Sequence, residues 1–177
     1  GLDDKVIDYL PDFKLKDSIN TRDLSIRNIL SHTSGLVPHA YDNLVEALVP
    51  FDIIIDSLQR VNISAVPGKL YGYQNVVFSL YDTISRIKTS KKFEDILKEK
   101  VFVPFHMEHA SAGFEAFSSS NNRALPHSRY KGGFRTLKLN DRYYNTNPAA
   151  GINASISDMG KFLLAVSGND SSVLNVE

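Results

Sequence analysis

"PGKLYGYQNVVFSLYDTISRI", residues 67–87, holds the pattern on which the fold turns. Pro67-Gly68 marks a turn. Beyond Tyr71 and Tyr73, Gln74 and Asn75 open a run whose apolar residues Val76, Val77, Leu80, Ile84 and Ile87 recur at helical spacing. Residues 75–87 therefore read as an amphipathic helix with one buried face. Tyr73 and Asn75 stand at its mouth, where backbone N–H groups favour developing negative charge. A phenol there can move a proton, and a carboxamide both donates and accepts hydrogen bonds. The residues alone leave two readings open: the edge of a catalytic site, or an asparagine cap beside a tyrosine packed on the Pro67-Gly68 turn.

The segments on either side are also helical. "LSIRNILSHTSGL", residues 24–36, reads as a helix with Ser25 as N-cap, Leu24 stapled onto Ile29, and Gly35 at the C′ position that takes a left-handed conformation. Residues 41–60 carry a second helical pattern, interrupted near Pro50. Residues 90–102 carry another, capped by Ser90, with Phe93, Ile96 and Leu97 inward. "SISDMGKFLLAVSGN" closes as a helix capped by Ser155 or Ser157 and stopped by Gly168. Residues 110–148 differ, being aromatic, glycine-containing and without helical period. "HSRYKGGFRTLKLNDRYY", residues 127–144, suggests a β-hairpin or extended loops with Gly132-Gly133 as a turn. The expected class is mainly α with minor β.

At 177 residues the chain suits one domain, 1–177, with a real core. Twenty basic and twenty acidic residues cancel, so charge offers no reason to expect nucleic acid or an anionic membrane. The absence of cysteine excludes disulfides, thiolate metal sites and cysteine nucleophiles without fixing a compartment. No apolar run approaches the roughly 18–20 residues of a membrane span. Gly1-Leu2-Asp3 reads as the middle of a longer protein, and Asn175-Val176-Glu177 ends without a tapering tail.

Other candidate chemistry is thinner. His106 and His109 form an i, i+3 pair with no third ligand and no HExxH spacing, so no metal is expected. His32 reads as a hydrogen-bonded histidine that ties down the turn after its helix; His127 suits either core or cleft. A serine paired with lysine needs the two one helical turn apart. Ser85–Lys88 and Ser128–Lys131 have that spacing, at a frequency chance accounts for. No G-x-S-x-G elbow, P-loop, G-x-G-x-x-G or EF-hand loop occurs.

Several segments together resemble the serine β-lactamase and penicillin-binding protein superfamily, in particular its class C branch. "LDDKVIDYLPDF" (2–13) resembles the segment after the family's nucleophile helix, and residues 24–36 its His-Thr-Ser-Gly-Leu segment. Residues 67–80 resemble its Pro-Gly and Tyr-x-Asn segment, with Tyr73-Gln74-Asn75 as that motif. "FEDILKEKVFVPFHMEHAS" (93–111) resembles its Pro-Leu-Gly-Met segment, with Phe105-His106 in place of Leu-Gly, and "NPAAGINASISDMGKFLLA" (147–165) its Gly-Gly and Asp-Met segment. They run in family order across nearly the whole chain.

The resemblance implies the helical subdomain of the β-lactamase/DD-peptidase fold, without most of its α/β sheet. It implies Tyr73 as the tyrosine that shares protons with a nucleophilic serine and its lysine, and Asn75 as the residue that binds the substrate's amide carbonyl. His32, Ser34 and Gly35 would form a structural turn beneath the site. The expected chemistry is an acyl-enzyme reaction on a β-lactam, peptide or ester, with no cofactor and no metal. The family's Ser-x-x-Lys would lie upstream of Gly1 and its Lys-Thr-Gly strand beyond Glu177. Lys88-Thr89-Ser90 follows Tyr73 too closely to replace the latter. The chain alone is therefore expected to be inert. A DD-peptidase, D-aminopeptidase or carboxylesterase fits the same residues, as does a non-catalytic binding module on the same scaffold. Localisation in the periplasm or cell envelope follows from the resemblance. Self-association through a bared subdomain face is expected.

Overall fold

The computed structural model describes residues 1–168; the closing residues of the 1–177 expectation lie outside the described residues. The helices are α1 (Ser18–Asp23), α2 (Ile26–Leu30), α3 (Asp42–Glu46), α4 (Phe51–Ser57), α5 (Asn75–Thr89), α6 (Phe93–Leu97), α7 (Phe114–Ser119), α8 (Asn147–Ala150) and α9 (Ile156–Val166). The strands are β1 (Ser111–Ala112), β2 (His127–Tyr130), β3 (Gly133–Thr136) and β4 (Ile152–Asn153). They make two antiparallel pairs, β1 with β4 and β2 with β3. The class is mainly α with minor β, and the described residues hold no larger sheet.

At 15 residues, α5 is the organising element. Val76, Val77 and Leu80 on it are fully buried, and Ile84 nearly so. Around this face pack α2, α3 and α4, which bring Ile26, Ile29, Val45 and Ile54 into the same core with Leu24, Leu36 and Leu58. Burying each such side chain contributes roughly 1.5–3 kcal/mol, which is what holds helices this short in place. Ile87 departs from expectation: it is 54% exposed, because the core ends before the last turn of α5.

Several boundaries also move. Ser25 caps α2 as expected, its Oγ accepting from Asn28 N while Asn28 Oδ1 accepts from Ser25 N at 3.1 Å. The helix ends at Leu30, however, not near Gly35. His32 is the residue past the cap, with φ 56°, and Thr33 N donates back to Asn28 O at 2.9 Å. That is the left-handed closure expected of glycine, taken instead by histidine. Gly35 does have positive φ, at 86°, but in the following loop. Ser90 likewise does not cap α6. It closes α5 in a left-handed conformation, a geometry incompatible with N-capping, and Lys92 precedes α6. The 90–102 helix is α6 followed by a π-type turn, Lys98–Phe102. The 41–60 pattern divides into α3 and α4, with Pro50 at the N-cap of α4. In the hairpin, Lys131 and Gly132 form the two-residue turn with φ 45° and 81°, and Gly133 already belongs to β3. Ser155 caps α9, and Gly168, with φ 78°, follows its end. Helix α7 falls where no helical period is visible in the sequence.

Candidate active site

The site grows from two laced loops, residues 31–38 and 61–74. Gly68 N donates to Thr33 O at 2.8 Å, Gly72 N to His32 O at 2.8 Å, and Ser64 N to Gly35 O at 2.7 Å. Buried Asn20 adds Nδ2 to Ala65 O at 2.8 Å. Gly35 cannot carry a side chain here, since a Cβ would lie 2.1 Å from Ala65 O. Ser34 is buried beside it, its Oγ 3.4 Å from Leu36 N. The loops thus present residues 71–75 on a rigid bed.

Tyr73 sits on this bed with its side chain at the surface, 36% exposed. Two imidazoles flank the ring: His32 with centroids 4.4 Å apart and His39 at 5.3 Å. Phe78 stacks on the far side of His32 at 5.2 Å. His32 Nδ1 accepts from Gln74 N at 3.2 Å, so the ring holds the backbone of the next residue as well as the face of Tyr73. Accepting at Nδ1 requires a neutral ring, and burial pushes the His32 pKa below its ordinary value, favouring that form. Among the described residues no hydrogen bond engages the Tyr73 hydroxyl.

Asn75 is the first residue of α5, and the N-cap is Gln74, whose side chain is buried and donates to Val37 O instead of capping. Asn75 therefore does not cap the helix. Its Nδ2 donates to Asp42 Oδ2 at 3.0 Å. The same oxygen lies 2.9 Å from His39 Nδ1, and His39 N donates to Tyr73 O at 2.8 Å. A turn thirty-odd residues upstream thus grips both Tyr73 and Asn75. His39 and Tyr41 both adopt left-handed backbone to make it, with φ 58° and 65°.

Tyr73, lined by two imidazoles, and Asn75 two residues on thus stand together at the mouth of a long helix. The family model for Beta-lactamase covers residues 1–175. The chain belongs to the beta-lactamase family. Among curated proteins it is similar to Beta-lactamase-like protein 4 of Dictyostelium discoideum, 24% identical over 99% of this chain and 33% of that protein. Among solved structures it resembles the octameric penicillin-binding protein homologue of Pyrococcus abyssi (TM-score 0.79, 21% identity, 98% of this chain and 41% of that one). It also resembles the D-amino acid amidase of Ochrobactrum anthropi (TM-score 0.70, 20% identity, 99% and 51%). The chain thus spans a third of the curated relative and about half of each solved structure, which accords with a partial beta-lactamase fold lacking most of the sheet subdomain.

Seen as part of a beta-lactamase fold, the spare serines and histidines fall away from the Tyr-x-Asn site. Ser85 is buried and donates to Asp82 O at 2.9 Å, while Lys88 Nζ reaches Tyr9 at 3.3 Å, so the pair does not meet. Thr89 bonds back to Ser85 O within the helix. Ser128 receives Arg135 Nε at 3.3 Å, while Lys131 lies over the Tyr130 ring. His127 is exposed on the hairpin, 3.2 Å from Thr136 Oγ1. No group of side chains able to hold a metal occurs among the described residues, His106 and His109 included. Asp42 and His39 escape a reading of the sequence because nothing in the spacing links residue 42 to residue 75.

Proposed function

We propose that this chain supplies the tyrosine–asparagine side of a serine hydrolase active site, in the manner of class C enzymes, and that the nucleophilic serine, its lysine and a Lys-Thr-Gly-type strand come from outside residues 1–177 of the full-length protein. In the reaction, the serine oxygen attacks a lactam, amide or ester carbonyl as its proton passes to the Tyr73 oxygen and the phenol's own proton moves on to the neutral lysine. The C–O bond forms, the oxyanion rests on backbone N–H groups, and the proton returns to the leaving nitrogen or oxygen as its bond to carbon breaks. Water then attacks the acyl-enzyme, its proton passing by the same relay to the Tyr73 oxygen and on to the lysine, and the relay returns a proton to the serine oxygen as the acyl C–O bond breaks. Asn75 holds the carbonyl of the substrate's side-chain amide. His32, Ser34 and Gly35 keep the bed beneath Tyr73 rigid.

One observation carries the reading: a surface Tyr73 whose hydroxyl has no hydrogen-bond partner among the described residues, its carbonyl accepting from His39 N and its neighbours Gly72 N and Gln74 N donating to His32, two residues from Asn75 at the start of α5. A phenol held so and left unengaged is poised for a reactant. The kinship with penicillin-binding and D-amino acid amidase structures supports a substrate of the acyl amide class, either β-lactam or D-configured peptide, and a cell-envelope location. Fractionation of cells with an antibody to the protein tests the latter; a cytosolic signal overturns it.

The deciding test is intact mass after incubation with a penicillin. The full-length protein is expected to gain the mass of the whole lactam, because ring opening expels no leaving group. This 177-residue chain is expected to gain nothing. An adduct on the short chain, at Ser85 or Ser128, overturns the proposal. So does the absence of an adduct on the long form together with no ester or D-amino amide hydrolysis, which moves the chain to a non-catalytic binding role.

A further inference from the structure

We infer that Asp42 is a positioning residue for the site proposed above: its carboxylate selects which face of the Asn75 carboxamide is turned to substrate. The inference rests on that functional reading and on the following geometry.

An ionised carboxylate only accepts hydrogen bonds, whereas a carboxamide has one accepting and one donating edge. Asp42 Oδ2 lies 3.0 Å from Asn75 Nδ2. With Asp42 ionised, Asn75 must turn its NH2 toward Asp42, since the flipped amide would set two acceptors against each other. One N–H is thereby consumed, and the second is held at a fixed angle and remains for a carbonyl of the substrate. Without Asp42 the amide can rotate, and half of its orientations would offer the substrate carbonyl an oxygen.

Asp42 is itself fixed. Oδ2 accepts from His39 Nδ1 at 2.9 Å, which sets the His39 tautomer to Nδ1–H, and Asp42 N donates to His39 O at 3.3 Å. Oδ1 is buried without a hydrogen-bond partner among the described residues, and both donors converge on the one oxygen Oδ2. A buried carboxylate oxygen left unsatisfied costs stability, and left-handed backbone at His39 and Tyr41 adds to that cost. The turn carries these penalties at the one place where it touches both halves of the Tyr-x-Asn motif: His39 N on Tyr73 O at 2.8 Å and Asp42 on Asn75. Strain concentrated at such a point is the mark of a geometry maintained for a reactant and not for packing alone.

The test is a double-mutant cycle in the full-length protein, measuring kcat/KM for a substrate with an acylamino side chain. Asp42→Ala is expected to lower kcat/KM about 30-fold, near the loss for Asn75→Ala, and the double variant to be no worse than Asn75→Ala alone, because the two act as one unit. Asp42→Asn keeps an acceptor oxygen and is expected to recover to within about threefold of the starting protein. If Asp42→Ala does not fold, Asp42→Ser, polar but too short to reach Nδ2, carries the same cycle. Losses that multiply in the double variant, or an Asp42→Ala enzyme with unchanged kcat/KM, overturn the inference while a penicillin adduct on the unsubstituted protein keeps the functional reading intact. An unsubstituted protein with neither adduct nor turnover removes both.

Discussion

Residues before and after the end of α5 are built differently. The first region buries sixteen hydrophobic side chains in one cluster, from Val6 to Ile84, and many of them are fully inaccessible. The second gathers only four into a cluster, Phe102, Phe105, Met107 and Ala165, with Leu97, Val101, Ala110 and Phe162 packed around them, and buries Phe93 apart from it. In that second region α9 leaves Ile156 90%, Leu163 59% and Leu164 57% exposed. The candidate site stands wholly on the first region. A site that must hold a phenol and an amide in place belongs on the part of the chain whose core already closes on itself.

The sharpest way to break this comparison is at Gly35. Gly35→Ala forces a Cβ against Ala65 O in a residue with φ 86°, and is expected to cost about 4 kcal/mol in urea unfolding, enough to approach the stability of a small domain. An unchanged midpoint would mean that the laced loops are not rigid. Next, Leu80→Ala at a fully buried position is expected to cost about 3 kcal/mol. Phe105→Ala in the smaller cluster is expected to loosen residues 93–168 in hydrogen exchange while leaving α5 amides protected. Equal loss of protection in both regions would show one cooperative unit in place of two unequal ones.

A smaller effect is expected at the bared face of α9. We propose that it drives self-association of the isolated chain, and Ile156→Ser with Leu163→Ser should lower the apparent mass at high concentration in sedimentation; a monomer at all concentrations before substitution counts against it. The smallest effect is pH-dependent. His32 titrates below its ordinary 6.5, so the unfolded chain binds its proton first as pH falls. Stability from this group is therefore full above pH 6.5 and is lost as pH drops from there through the lower folded value. His32→Asn, which tolerates the left-handed backbone, should flatten that part of the profile in urea midpoints taken between pH 8 and 5.

The sequence made the first region readable because its signals are local. The Val76–Ile84 stripe, the Ser25 cap and the Pro67-Gly68 turn each act within one or two helical turns, and each sits in the fold where its chemistry puts it. Where local signals competed, the reading slipped. Gly35 looks like a helix terminator, yet α2 closes three residues sooner, with His32 in the left-handed position and its ring in contact with Tyr73 and Phe78. Ser90 looks like a cap, yet it ends one helix instead of starting the next. Ile87 fits the stripe, yet it lies more than half exposed.

The site divides in the same way. Tyr73, Asn75 and the glycine-bearing loop near His32 were legible as a motif through the resemblance to the family, since residue type and spacing by themselves left a catalytic edge and a packed cap both open. What only the tertiary structure decided is the partner set: His32 and His39 against Tyr73, and Asp42 on Asn75 across 33 residues of chain. Helical and turn propensities act through neighbouring backbone atoms and can be summed from the sequence. A hydrogen bond between residues far apart in the chain depends on where two separately folded turns are brought by the shared core, and no residue type or spacing encodes that by itself.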